Sequence, residues 1–262
     1  MPSVSLAEAK ALSARAAVGL VREREVLAVG SGSTVELALE EIARRFAEDV
    51  RPTVVVASRK AEEVARRVGL RMSSIEKVHQ FRLMLDGADE VTPSLSLIKG
   101  GGGAHFREKL LARMSENLTI MVDYSKLVRR LGENTPLPLE VVPFALPLVE
   151  RSVAPLGLSP AVRMDPNASG TPYRTDNGNL ILDCRITREP ADESALETAL
   201  AHIPGVVATG LFIGMTSRVL VGMPDGRVEE LLPGEAPVHG TLSPVVQEAI
   251  SARRALAKTH RG

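Results

Sequence analysis

The chain has no tryptophan, a single cysteine, 3% aromatic residues and no net charge over its 262 residues. Each shortage removes a class of function. Without Trp, and with few other rings, there is no platform on which nucleic-acid bases could stack. Lys+Arg 32 balance Asp+Glu 32, so no overall field draws in a polyanion. Neither nucleic acid nor membrane is expected as a partner. Cys184 alone cannot form an internal disulfide, and with no metal-ligand cluster around it, it reads as a small core residue in a reducing compartment. No apolar run approaches bilayer length and the N-terminus lacks a signal-peptide pattern, so the expected location is the cytoplasm. His79, His202, His239 and His260 are scattered without ligand spacing, and no metal site is expected. What is present is ordinary: 44% hydrophobic and 24% charged residues, enough for a sizeable core in one large or two small domains.

Against that background one stretch stands out, from Asp86-Gly87-Ala88-Asp89 through Lys99 and the glycines Gly100 to Gly103 to Glu108. Phe81–Leu85 reads as a short buried strand, which places Asp86 and Asp89 at its carboxyl end, where open α/β sheets bind ligands. A second apolar run, Leu95–Ile98, ends in Lys99 and the glycine run, and helical character begins at Ala104. Glycines ahead of a helix let backbone N–H groups approach a ligand. Glu108 follows about one turn into that helix. The bland alternatives are a flexible loop for the glycines, a turn for Asp86-Gly87 and a helix-dipole partner for Glu108. Taken together, the acids, the cation and the backbone donors suit proton transfer on a small anionic molecule.

Taken in order, residues 6–22 read as an amphipathic helix with Lys10 on its flank, a solvated charge on the plain reading. Val26–Val29 is strand-like and leads into Gly30-Ser31-Gly32-Ser33-Thr34 and a helix, the physical form of a phosphate cradle, although Ser33 or Thr34 would also serve as a simple N-cap. Thr53–Ala57 and the helix after Ser58 repeat the pattern, and Leu118–Val122 is a further strand, so a doubly wound parallel sheet is expected. The proline-rich Pro136–Pro143 reads as a domain crossover. A helix over 144–156, strands at Val162–Met164 and Leu180–Cys184 with a hairpin-type turn at Thr175–Asn179, and a helix over Glu193–His202 suggest a small α+β domain. Strand material at 211–223 is expected to rejoin the large sheet. Domain bounds follow as 1–132 plus 208–230, 133–207, and an extension over 231–262. In that extension Ser243-Pro244 reads as a cap and Val245, Val246, Ala249, Ala252 and Leu256 as a helical stripe, with Leu242 just ahead.

The string DGADEV…LIKGGGG…REK closely resembles the signature of the type A ribose-5-phosphate isomerases. The resemblance runs from about residue 6 to about residue 230 and includes Gly30–Thr34, Asp123–Lys126, Pro138–Pro143, Thr175–Asn179 and Ile203–Phe212. It implies a Rossmann-like domain with a smaller ferredoxin-like one, a homodimer or homotetramer, and interconversion of ribose 5-phosphate and ribulose 5-phosphate without a metal or organic cofactor. By position, Glu108 matches the family's general base and Lys99 with Gly100–Gly103 the oxyanion stabiliser. Asp86 resembles the ring-opening acid/base and Asp89 a hydroxyl partner. Lys10, Ser31, Gly32, Ser33, Thr34 and Lys126 resemble the phosphate and substrate contacts, with Gly87, Ala88, Gly100, Gly101 and Gly102 beside them. Departures are Tyr124 where an acid is more common, Ala61 where threonine is common, and His105 where a small or apolar residue is usual. His105 is expected to face solvent or an interface. Two rivals stand beside this reading: a sugar-phosphate deaminase of similar fold, whose ring-opening histidine is here Asp86, and a non-catalytic sugar-phosphate sensor, which would not need Glu108.

Overall fold

The computed structural model describes residues 4–234 and 244–259. Helix α1 (Leu6–Val18) starts on a reciprocal cap, in which Ser5 Oγ accepts the Glu8 N–H at 3.2 Å and the Glu8 carboxylate accepts the Ser5 N–H at 2.7 Å. It ends at Val18, earlier than the expected residue 22, because the Gly19 N–H closes on the Ala16 carbonyl and tightens the last turn. Its buried face is mostly alanine: Ala9, Ala14 and Ala17. Such a face lies close on whatever is beneath it.

The chain then alternates: β1 (Val26–Val29), α2 (Ser33–Arg45), β2 (Thr53–Val56), α3 (Arg59–Arg67), β3 (Arg71–Met72) and β4 (Phe81–Asp86). Two short strands, β5 (Glu90–Val91) and β6 (Leu97–Ile98), precede α4 (His105–Arg113) and β7 (Ser115–Asp123). Next come β8 (Leu137–Val141), α5 (Leu146–Val153), β9 (Leu158–Val162), β10 (Leu180–Ile186), α6 (Glu193–Ala201) and β11 (Val206–Thr209). The chain returns through β12 (Leu211–Phe212), β13 (Arg218–Gly222) and β14 (Val228–Leu231), and the last described element is α7 (Pro244–Thr259).

The main sheet has the order β14-β13-β7-β4-β1-β2-β3, parallel throughout except for β14 against β13. Its central strands are near-continuous apolar runs because helices cover both faces. The order turns from β1 toward β2 on one side and toward β4 on the other. The crevice at that switch point receives the carboxyl ends of β1, β4 and β7. The expected doubly wound sheet is thus present.

A separate antiparallel sheet has the order β11-β8-β10-β9, with α5 and α6 as its connections. This is the strand–helix–strand–strand–helix–strand pattern of a ferredoxin-like unit. Three expectations need correction. The proline-rich crossover contains β8, an interior strand; Pro138 fits because pairing with β11 reaches only as far as Leu139. The strand expected at Val162–Met164 lies earlier, at Leu158–Val162, where Pro160 is tolerated on an edge strand. Of the segment 211–223, only Arg218–Gly222 joins the main sheet. Leu211–Phe212 pairs instead with β6, in a third sheet of order β12-β6-β5.

Helix α7 carries the extension back onto the main core. Val246, Ala249 and Ile250 are buried with Tyr124, Leu127 and Met223, and Arg253 donates to the Leu127 carbonyl at 3.3 Å. The expected cap Ser243 and Leu242 lie outside the described residues, as does the Leu256 side chain. Ile250 was not part of the expected stripe. Burial of Val246 and Ile250 contributes roughly 1.5–3 kcal/mol each before the cost of ordering the helix. Deleting residues 235–262 is therefore expected to lower Tm by about 5 °C or more. Unchanged melting in a thermal scan of the truncated chain would show that the helix contributes nothing to stability.

Candidate active site

The cleft at the switch point is built from three loops. The first follows β1. Gly32, at φ +114, is the N-cap of α2 and supplies no side-chain hydrogen bond, so the first-turn N–H groups of Ser33 and Thr34 are left for a ligand. Only glycine adopts that backbone without strain. Lys10 Nζ reaches Ser33 Oγ at 3.4 Å from α1, and Lys126 lines the same cleft from the turn after β7. Ser31 Oγ and Ser58 Oγ share a hydrogen bond of 2.8 Å, while Ser58 also caps α3. This end of the cleft offers a helix N-terminus and two cations to an anion.

The second loop follows β4. Asp86 is fully buried and held from three directions. Its Oδ1 accepts from the Gly87 N–H at 2.7 Å and the Ser31 N–H at 3.4 Å, and its Oδ2 lies 2.9 Å from Lys99 Nζ. Gly30 makes room for it, since a Cβ there would overlap the Asp86 carboxylate. Asp89 accepts the Gly101 N–H at 2.7 Å.

The third loop carries Lys99 and the glycines. Lys99 is 2% exposed and its ammonium contacts three oxygens: Asp86 Oδ2, Glu108 Oε2 at 3.3 Å and the Gly87 carbonyl at 2.5 Å. The Lys99 N–H is fixed to the Gly210 carbonyl at 2.9 Å. Glu108 stands in the first turn of α4 and is 4% exposed. One buried cation thus sits between two buried acids. Burial works against the Lys99 charge, but Asp86 and Glu108 outweigh it and raise its pKa. Burial raises Asp86, with Lys99 opposing. Burial and then Asp86 push Glu108 up to about 8. A position near the N-terminus of α4 favours the ionised form by about 0.3–1 kcal/mol, less than the cost of desolvation. Glu108 is consequently a carboxyl able to hold or release a proton near neutral pH.

The structure brings together Lys10, Ser31, Gly32, Ser33, Thr34, Gly87, Ala88, Asp89, Lys99, Gly100, Gly101, Gly102, Glu108 and Lys126 around one cleft. Asp86 is the exception. It is enclosed beneath Lys99 and does not line the cleft. Two of the four glycine N–H groups are already used: Gly101 on Asp89 and Gly103 on the Gly100 carbonyl. His105 does not face solvent as expected. It is 0% exposed and packs under Gly100, where a Cβ would clash with its ring; burial, with Lys109 and Arg163 nearby, pushes its pKa down to about 3. Tyr124 is buried in the main core, and Ala61 is buried among the apolar residues of α2 and α3 and not in the cleft wall. Among the described residues no group of His, Cys, Asp and Glu is arranged to hold a metal ion, and no helix is long and apolar enough to cross a membrane. Two side chains of the connection between β9 and β10 that spacing did not single out reach the glycine run: Arg163 donates to the Gly100 and Gly101 carbonyls, and the Tyr173 hydroxyl to that of Gly102. No local motif marks them.

A raised carboxyl pKa has a consequence for stability. The folded chain keeps a proton on Glu108 that the unfolded chain releases near its ordinary value of 4.5. That stabilisation is complete below the unfolded value and is lost as pH rises toward about 8. Glu108→Gln cannot ionise, so its Tm relative to the parent is expected to climb between about pH 5 and pH 8.5. A Tm difference that stays flat across this range, followed by calorimetry, would refute the raised value.

The chain is similar to known proteins over most of its length. The family model for ribose 5-phosphate isomerase A (phosphoriboisomerase A) matches residues 53–226. A ribose-5-phosphate isomerase A from Roseiflexus castenholzii is 43% identical over 219 residues, 83% of this chain and 92% of that protein. The solved ribose 5-phosphate isomerase A from Methanocaldococcus jannaschii superposes with a TM-score of 0.80 at 35% identity, covering 85% of this chain and 97% of the other. A D-ribose-5-phosphate isomerase solved with phospho-erythronic acid gives 0.83 at 30% identity, covering 87% and 100%. The chain belongs to the ribose 5-phosphate isomerase A family.

Proposed function

We propose that the chain interconverts D-ribose 5-phosphate and D-ribulose 5-phosphate, with Glu108 as general base and an enediolate as the intermediate. The observation that carries this is the juxtaposition of Glu108 and Lys99 at 3.3 Å in the dry floor of a cleft whose other end is an anion cradle. The family relationship and the sugar-acid phosphate bound by one solved relative support the substrate class.

In this reading the phosphate sits against the first turn of α2 with Lys10 and Lys126, which fixes the sugar along the cleft. The Glu108 carboxylate removes the proton from C2 of the open-chain aldose. The electron pair forms the C1–C2 double bond, and the carbonyl oxygen on C1 becomes the enediolate oxygen. Lys99 and the free glycine N–H groups stabilise that oxygen. Glu108 then returns its proton to C1, while the C2 hydroxyl loses its proton to the C1 oxygen as the new carbonyl forms. Atoms and electrons balance with no cofactor. Asp89 is positioned for a substrate hydroxyl. Asp86 keeps Lys99 charged, and any part it takes in ring opening passes through the Lys99 ammonium, because Asp86 itself has no face on the cleft. On the same resemblance we assign the chain to a homodimer or homotetramer, and we place it in the cytoplasm.

An aldose–ketose assay tests the chemistry. Glu108→Gln should lower kcat by at least about 10²–10⁴-fold, the usual share of a general base, with KM for ribose 5-phosphate little changed. Near-normal turnover would remove Glu108 from the mechanism. The cradle has its own test. The double change Ser33→Ala with Thr34→Ala should raise KM for ribose 5-phosphate and leave the poor turnover of unphosphorylated ribose as it was. Equal losses on both sugars would argue against phosphate binding at residues 31–34.

A further inference from the structure

Gly100, Gly101 and Gly102 form part of the cleft wall, yet neither they nor Gly103 have side chains to hold them in place. Glycine loses more freedom on ordering than any other residue. The orientation of these peptides must therefore come from neighbours, and the peptide planes show which ones. A trans peptide holds its C=O and the following N–H antiparallel, so fixing one end aims the other.

In the Gly100–Gly101 peptide both ends are held: the carbonyl accepts from Arg163 Nη1 at 3.0 Å and the N–H donates to Asp89 Oδ2 at 2.7 Å. The Gly102–Gly103 peptide is held likewise, its carbonyl by the Tyr173 hydroxyl at 3.3 Å and its N–H by the Gly100 carbonyl at 3.0 Å. The Gly101–Gly102 peptide between them is held at one end only. Its carbonyl accepts from Arg163 Nη1 at 2.9 Å, and its N–H has no acceptor among the described residues. Gly102 lines the cleft.

We infer that Arg163 is a positioning residue that aims the Gly102 N–H into the cleft, as a donor to the oxygen that becomes negative during isomerisation. This rests on the isomerase reading above. Arg163 is itself fixed. Its Nε and Nη2 form a bidentate pair with Asp183 at 2.8 and 2.5 Å, across the β9–β10 pairing, and its guanidinium lies 6.0 Å from the Tyr173 ring centre. The fork is suited to this task, since two nitrogens hold the carboxylate while the third bridges two carbonyls. A lysine ammonium cannot satisfy both sides in one plane. Neither Arg163 nor Asp183 lines the cleft, so any effect on turnover acts through the glycine backbone.

The test uses the full chain carrying Arg163→Ala or Arg163→Lys. Loss of an oxyanion donor costs about 10²–10³ in kcat, and a donor that is misaimed and not deleted should cost about 10–100-fold, with KM for ribose 5-phosphate within about threefold. Inhibition by phospho-erythronic acid, whose carboxylate stands in for the enediolate oxygens, should weaken in parallel with kcat. Arg163→Lys should recover part of both, and amide exchange over residues 99–104 should quicken in Arg163→Ala. Unchanged kcat with lower melting temperature would make Arg163 a structural residue only, and a rise in KM alone would make it a substrate contact. Either result overturns the inference. If the parent chain fails to isomerise ribose 5-phosphate, the isomerase reading falls first. The exchange data still decide the clamp, because unchanged exchange in Arg163→Ala would sink it.

Discussion

A buried ammonium between two buried carboxylates is the constraint on which the rest depends. Lys99 lies 2.9 Å from Asp86 and 3.3 Å from Glu108, and almost no water reaches the three side chains. Removing one partner from such a group leaves an unpaired buried charge, a loss of about 3–5 kcal/mol in comparable cases. The arrangement also divides the two acids by task. Asp86 accepts two backbone N–H groups in addition to Lys99, so its negative charge is compensated locally. Among the described residues Glu108 is paired only with Lys99, at the longer distance, and meets Asp86 besides. On the proposed reading, Glu108 is the acid that exchanges the proton and Asp86 the one that anchors the cation.

The fold keeps the dry group and the wet cradle apart and still in one cleft. The exposed N-terminus of α2, with Lys10 and Lys126, can take up a charged phosphate without stripping it of all water. On the proposed reading the enclosed end is where the carbon acid loses its proton, and there a low dielectric would strengthen every dipole aimed at the reacting oxygen. The loops after β1, β4 and β7 of the main sheet, with the Lys99–glycine run that follows β6 and leads into α4, supply the two ends. Glycine appears where backbone and carboxylate must share space, as Gly30 does over Asp86.

The parallel sheet, its strand ends and the order of the loops were legible in the sequence, because each rests on local periodicity followed by a Gly- or Asp-rich turn. The same holds for most of the residues around the cleft, which cluster in the stretches 31–34, 87–89 and 99–108, with Lys10 and Lys126 added from outside them. What was hidden depends on distant partners. Strand β8 was masked by prolines that only its place beside β11 makes tolerable. Leu211–Phe212 looked like sheet material, and so it is, but its partner β6 had no signal beyond two apolar residues. The burial of Asp86 behind Lys99 was equally invisible, since spacing puts Asp86 and Asp89 on the same loop without saying which of them faces the cleft. His105 misled for the same reason: a polar residue at a helix start reads as exposed unless the floor beneath a glycine is already known.

The small antiparallel sheet then acquires a reason to exist beyond added core. A glycine run gives a ligand the closest approach to backbone donors, and it is also the segment least able to hold those donors still. Side chains on the run would stiffen it but would fill the cleft; at Gly101 even a Cβ would press on Asp89. Stiffness must therefore be imported from outside the cleft, and hydrogen bonds to the carbonyls do so without occupying the ligand's side. Asp89 holds the run from the main sheet, and Arg163 and Tyr173 hold it from the small one. A second connection lies further along, where Glu140 gathers Thr175, Asn177 and Asn179, and that turn grips Arg107 beside Glu108 and the Arg59 N–H beside Ser58. Both links end on backbone or side chains next to the groups assigned to chemistry. The small sheet acts as a brace for loops that the main sheet can bring together but cannot by itself keep aligned.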